Sequence, residues 1–169
     1  MCIGRNLLQK LFGVGPRGAG ISIILLVVAT RADRALGHPQ ICRYQRLMEL
    51  LGALLIGAGL ILLFWTMHTL RSWWVENRLC TSGPFRWFRH PMYAAWITFI
   101  ALGAALGLNS LIFLLWVMSL HPVWHWLVSR EEKVMVEHFG GEYRRYSKRT
   151  GRFIPRIGTL RVPGSLDNE

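Results

Sequence analysis

At 169 residues the chain has the length of one domain, and with 52% hydrophobic residues, 17% charged residues and eight tryptophans it is too apolar for an ordinary soluble domain. Its formal charge of +11 suits either a nucleic-acid partner or the basic loops of a membrane protein; the cations flank long apolar runs, which favours the membrane and argues against nucleic acid. Three scattered cysteines, Cys2, Cys42 and Cys80, show neither paired metal spacing nor the even number of a disulfide framework, so no metal site is expected.

The chain begins Met1-Cys2 with no apolar stretch ahead, so a cleaved signal is not expected. About 20 apolar residues cross a bilayer core. The first candidate span, 18–37, has a short apolar centre with Arg31 and Arg34 placed to snorkel. The second, 47–70, carries only Glu49 and His68 near its ends, and its run 52–59, GALLIGAG, offers small residues for close helix packing. The third, 92–109, is uncharged. The fourth, 110–129, is uncharged apart from the titratable His121 and His125. The expected architecture is an all-α, polytopic bundle of about four transmembrane helices, a single integral membrane domain over 1–169 whose 157–169 form a loose polar tail.

Orientation follows from the cations. With the N-terminus inside, the inner segments 1–17, 71–90 and 130–169 hold 16 Lys and Arg, and the outer segments hold four. That asymmetry predicts a multi-pass protein with both termini cytoplasmic, although Arg31, Arg34, Arg43 and Arg46 vote the other way.

The loop between spans two and three, RLCTSGPFRWFRHPMYAAW at 78–96, is richer than a connector requires. Gly83 can take positive φ, Pro84 fixes the residue after it, and FRWFRH interleaves aromatics with cations. Pro91 suits a first helical turn, which puts His90 at the mouth of the third helix, where free N–H groups favour a negative ligand group. One reading is an interfacial belt, with Arg86 and Arg89 on headgroups and Phe85, Trp87, Phe88 and Tyr93 beside them. The other is a binding loop, which explains why turn, cations, histidine and helix start are crowded together.

The segment SREEKVMVEHFGGEYRRYSKRTGRFIPR, 129–156, begins where the fourth helix leaves the membrane. A helix to about Phe139 would put Glu131, Met135 and His138 on one side; Gly140-Gly141 breaks it, and 142–149 form a short basic helix that is solvated or touches lipid. Glu131 and Glu132 are either solvated at a helix end or functional carboxylates facing a cationic loop. His121 and His125, four residues apart, share a face and could bind metal or haem, with Pro122 kinking the helix between them. No P-loop, dinucleotide fingerprint or serine elbow occurs.

LCTSGPFRWFRHPMY followed, after a membrane hairpin, by REEKVMVEHFGGEYRRYSKRTGRFIP resembles the isoprenylcysteine carboxyl methyltransferase family over about 78–156. The resemblance implies an integral membrane methyltransferase that takes S-adenosylmethionine as its cofactor and a lipophilic acceptor, small-molecule or lipidated, from the bilayer. It implies that Asn77, Leu79, Cys80, Phe85, His90, Met92, Tyr93 and Glu131 bind the cofactor, and that Arg89 and Glu132 are catalytic. Phe85 stands where the family has Tyr. Leu127 stands where prenylcysteine-methylating members have an arginine, so an isoprenoid acid, a small lipid, a phospholipid amine or a thiol all stay open as acceptors. The competing class is a non-enzymatic membrane protein, a haem or metal carrier using His121 and His125, or an interaction partner of a respiratory complex.

Overall fold

The computed structural model describes residues 14–73 and 79–156. Four helices cross the bundle in chain order: α1 Val14–Ala35, α2 Gln45–Trp73, α3 Pro91–Gly107 and α4 Leu111–Arg149. Three of them are long and apolar enough to span a membrane, and α3 is a shorter apolar helix. The α1 expectation, the weakest in the sequence, holds with a full 22 residues. Large apolar side chains such as Ile24, Leu54, Ile61 and Phe64 point outward, as suits helices solvated by lipid.

α1 packs along α4, and α2 along α3. The α2–α3 seam is built from absent side chains: a Cβ on Gly52 would lie 2.5 Å from the Gly103 carbonyl oxygen, and one on Gly103 would lie 2.7 Å from that of Gly52. The small-residue run 52–59 is thus a packing surface, as its composition suggests. On the other side, Gly18 of α1 makes room for the Trp124 indole, whose Nε1 donates to Ser22 Oγ at 3.1 Å.

α3 departs from the uninterrupted span expected over 92–109. It starts at Pro91, winds as a π-helix over Ala94–Ile100 and ends at Gly107. Asn109 then takes φ 49° and stitches the far end of the bundle: its side chain accepts from the Cys42 N–H and donates to the Cys42 carbonyl and Gln45 Oε1.

α4 is longer than its span. Residues 111–129, about 28 Å of helix at 1.5 Å per residue, are enough to cross the hydrocarbon, and the helix continues beyond it. At Gly140, φ 54° and ψ −124°, the chain turns in a conformation open essentially to glycine alone. The rest runs back toward the bilayer. Tyr146 reaches the loop carbonyl of Phe85 at 2.7 Å, Gly151 pairs with Phe88, and the Phe153 ring lies 4.8 Å from His125, inside the spanning part of α4.

Candidate functional site

The site forms where the start of α3, the exit of α4 and the returning segment meet. The loop ahead of α3 is held from behind by α2. Gly83 takes φ 55°, and a Cβ there would lie 2.8 Å from Thr69 Oγ1. A 3₁₀ turn, Gly83–Arg86, follows, and Trp87 packs edge-on to Trp65 at 5.5 Å. The expected helix start is present: His90 is the N-cap, Pro91 the first residue, and the His90 side chain does not cap the turn. The first N–H groups of α3 are therefore not taken by their own N-cap residue.

His90 stands between two carboxylates. Its Nδ1 lies 3.6 Å from Glu131 Oε2 and its Nε2 lies 3.4 Å from Glu132 Oε1. The second contact is electrostatic rather than a hydrogen bond, since Nε2 is buried and has no hydrogen-bond partner among the described residues. Burial depresses the imidazole's proton affinity more than Glu132 restores it, so His90 is held below the usual histidine range.

The neighbouring acids divide by their place on the helix, about 100° apart. Glu131 faces inward, 4% exposed, and accepts from Tyr93 Oη at 3.0 Å. Burial pushes its carboxyl up to about 7 against the Tyr93 hydrogen bond, with the Glu132 charge adding to the rise. The Tyr93 ring rests on Trp124 at 4.6 Å. Glu132 faces the returning segment. Arg89 Nε bonds it at 2.8 Å, Arg152 Nε at 3.1 Å, and Arg152 Nη2 closes on its other oxygen. Burial alone would raise this carboxyl; His90, Arg152 and Arg89 outweigh it and hold it at about 2.

Arg89 also ties the segment down by donating to the carbonyls of Ser147 and Thr150. The backbone joins in parallel fashion, Arg89 N to Gly151 O at 2.7 Å and His90 N to Arg152 O at 3.2 Å. Beside this knot lies a cleft of about 410 Å³, lined by Arg89, Glu132, Lys133, Tyr143 and Arg152 among others. The Tyr143 hydroxyl is buried and has no hydrogen-bond partner among the described residues. Unsatisfied buried polar atoms are rare, and this one site holds two of them among the described residues.

Five of the residues singled out in the sequence thus come together: Arg89, His90, Tyr93, Glu131 and Glu132. Phe85 joins through its carbonyl. Leu79 is buried, and Cys80 and Met92 are half-buried, but no hydrogen bond links them to the Glu131 group among the described residues. Asn77 lies outside the described residues, as does the 157–169 tail. His138, two turns beyond Glu131 on the same side of the helix, is exposed and stacks edge-on to Phe139. His121 and His125 flank the Phe153 ring, and His125 contacts Arg152 at 3.1 Å; no group of three metal-ligating side chains occurs among the described residues. Sequence reasoning passed over Arg152, Tyr143 and Tyr146. The first two stand in the runs RFIP and FGGEY, both within the segment that carries the family resemblance, which is the signal available.

The model of the phospholipid methyltransferase family matches residues 47–142, more than half of the chain, from the start of α2 to just past the Gly140 turn. Protein-S-isoprenylcysteine O-methyltransferase of Homo sapiens is 31% identical over 87 residues. The alignment covers 51% of this chain and 30% of the human protein. No solved structure matches the chain.

Proposed function

The chain belongs to the phospholipid methyltransferase family, and from that premise we propose that it transfers a methyl group from S-adenosylmethionine to a lipophilic acceptor at the end of the bundle where α3 begins. The observation that carries this reading is the buried Glu131, held by Tyr93 and flanked by His90, at the mouth of α3.

The side chains fit the cofactor's parts. Glu131 suits its ammonium, and the N–H groups of the first α3 turn suit its carboxylate. The rings of Tyr93 and Trp124 offer apolar and cation-attracting surface. Cys80, Leu79, Phe85, Met92 and Asn77 are assigned to the same pocket by the family resemblance. S-adenosylmethionine, when bound, supplies a methyl group activated by a sulfonium. The chain's own part is positioning and exclusion of water, because a carboxylate or thiolate acceptor needs little proton transfer. Arg89 and Glu132 are better assigned to positioning than to the reacting atoms: each is engaged by the other and by the returning segment, which fixes the loop that carries His90.

The acceptor reaches the site from the bilayer, and the human relative's name makes an isoprenylcysteine-like group one candidate class. The basic balance of the loops supports an orientation with the site on the cytoplasmic side. Reporter fusions after Arg156 and within 38–42 should fall on opposite faces; matching faces would discard this orientation.

The activity is tested by supplying methyl-labelled S-adenosylmethionine to membranes that carry the protein and extracting the lipids. Label in a lipid fraction, absent with Glu131→Gln, is the expected result. Binding of the cofactor without transfer to any lipid, thiol or acid would reduce the reading to a binding protein.

A further inference from the structure

The returning segment has a second face that the site does not use. Tyr143, Tyr146, Ser147 and Thr150 point inward at spacings of three and four, and all but the first bond to the loop or Arg89. Arg144, Arg145, Lys148 and Arg149 occupy the opposite stripe, and all four are exposed. Between 139 and 156 six Lys and Arg stand against a single carboxylate, Glu142, which is itself exposed.

Depth gives this face its meaning. Phe153 is 1% exposed and packs on His125, in the last turns of the spanning part of α4. Ile154, the next residue, is 62% exposed at the same depth. Thr98 of α3 donates to the Phe153 carbonyl at 3.5 Å, which fixes that level from a second helix. An exposed isoleucine at the edge of the hydrocarbon, with a row of cations one or two turns above it, has the pattern of a chain lying in a membrane interface.

We propose that the stripe Arg144, Arg145, Lys148 and Arg149, with Ile154 below it, docks onto anionic phospholipid headgroups of the bilayer that α4 crosses. The cations complement the lipid phosphates, and Ile154 enters the acyl boundary. Because Ser147, Thr150, Gly151 and Arg152 hold Arg89 and the His90 backbone, lipid that pins this segment also pins the loop at the mouth of α3. The docking does not depend on what the site transfers.

The test uses the full chain in lipid nanodiscs of phosphatidylcholine alone or mixed with phosphatidylglycerol, reading hydrogen exchange of the backbone amides 143–153. The anionic discs should slow exchange, and high salt should abolish the difference. Arg145→Gln, Lys148→Gln and Arg149→Gln together should remove it, each cation accounting for about a fivefold preference. Lys148→Arg should retain it. Ile154→Ser should speed exchange in both discs. Equal exchange of the native chain in the two discs overturns the proposal, as does a lipid preference that survives loss of the three cations. Protection in neutral discs by an added short RNA, equal to that from phosphatidylglycerol, would assign the stripe to a soluble polyanion and overturn it as well. Should the triple variant fail to fold, the native chain's response to lipid and salt still decides.

Discussion

Arg89 Nε and Glu132 Oε1 lie 2.8 Å apart, and through this pair the residue before the N-cap of α3 is bound to the exit of α4. Both side chains are largely buried, at 13% and 14% exposure. Removing one partner from a buried pair costs about 3–5 kcal/mol, because the other charge is left behind. Arg89→Ala would also release the Ser147 and Thr150 carbonyls. Its melting temperature in detergent should fall by several degrees, and that of Arg89→Lys by less. An unchanged melt for Arg89→Ala would mean the pair contributes nothing to the fold.

Glu131 should make both stability and cofactor affinity depend on pH, in opposite directions. Its carboxyl is raised from 4.5 to about 7 in the fold, so the protonated form is favoured there. The stability this contributes, on the order of 3 kcal/mol, is present below about pH 4.5 and is lost as pH rises through 7. A carboxylate is needed to hold an ammonium, so S-adenosylmethionine affinity should climb as pH rises toward 7 and then level. Glu131→Gln should flatten both profiles and weaken binding by about 10- to 100-fold, equivalent to a charged hydrogen bond of roughly 1.5–3 kcal/mol. Calorimetry and melting across pH 5–8 read the two effects separately; an affinity indifferent to pH in the native chain would remove Glu131 from the cofactor site.

His90 and Arg86 separate the binding loop from a lipid anchor. His90 sits between the two acids, whereas Arg86 is exposed at the end of the 3₁₀ turn. His90→Ala should weaken S-adenosylmethionine binding by about tenfold or more, the loss of one hydrogen bond to a charged group. Arg86→Ala should change it far less. Comparable small effects from both substitutions would leave the loop as an interfacial belt.

The α2–α3 seam gives a purely steric test. Gly52→Ala places a Cβ against backbone, which cannot yield, and should destabilise by about 1–3 kcal/mol. Gly57 lies on the same helix with open space around it, so Gly57→Ala should be neutral or gain up to about 1 kcal/mol of helix propensity. Equal melting shifts for the two would show that the close approach is not rigid.

What the sequence discloses here is what depends on near neighbours. Uncharged length located the spans, Pro91 located the start of α3, Gly83 its positive φ, and Gly140-Gly141 the break in α4. The 100° between successive helix positions already implied that Glu131 and Glu132 face different surroundings. What it conceals depends on distant partners. Arg152 closes on Glu132 only because the chain reverses at Gly140, and no periodicity encodes how far it comes back. The π-winding of Ala94–Ile100 carries no residue signature, since alanine and isoleucine are at home in an ordinary helix. Asn109 reads as a turn residue, yet its side chain serves Cys42 and Gln45, some 65 positions away.

The reversal at Gly140 also sets an order of events during synthesis. A ribosome delivers Arg89 and Glu132 to the membrane before Thr150 and Arg152 have emerged from it, and the glycine hinge must leave the exit tunnel before those residues can turn back. Until then the mouth of α3 lacks its last backbone partners and Glu132 has one guanidinium instead of two. The nascent protein therefore passes through an interval in which the spanning parts of the four helices can be inserted while Arg152 has yet to reach Glu132. The last contacts around Glu132 close late, when a stretch of about a dozen residues swings back onto a bundle that is already in place.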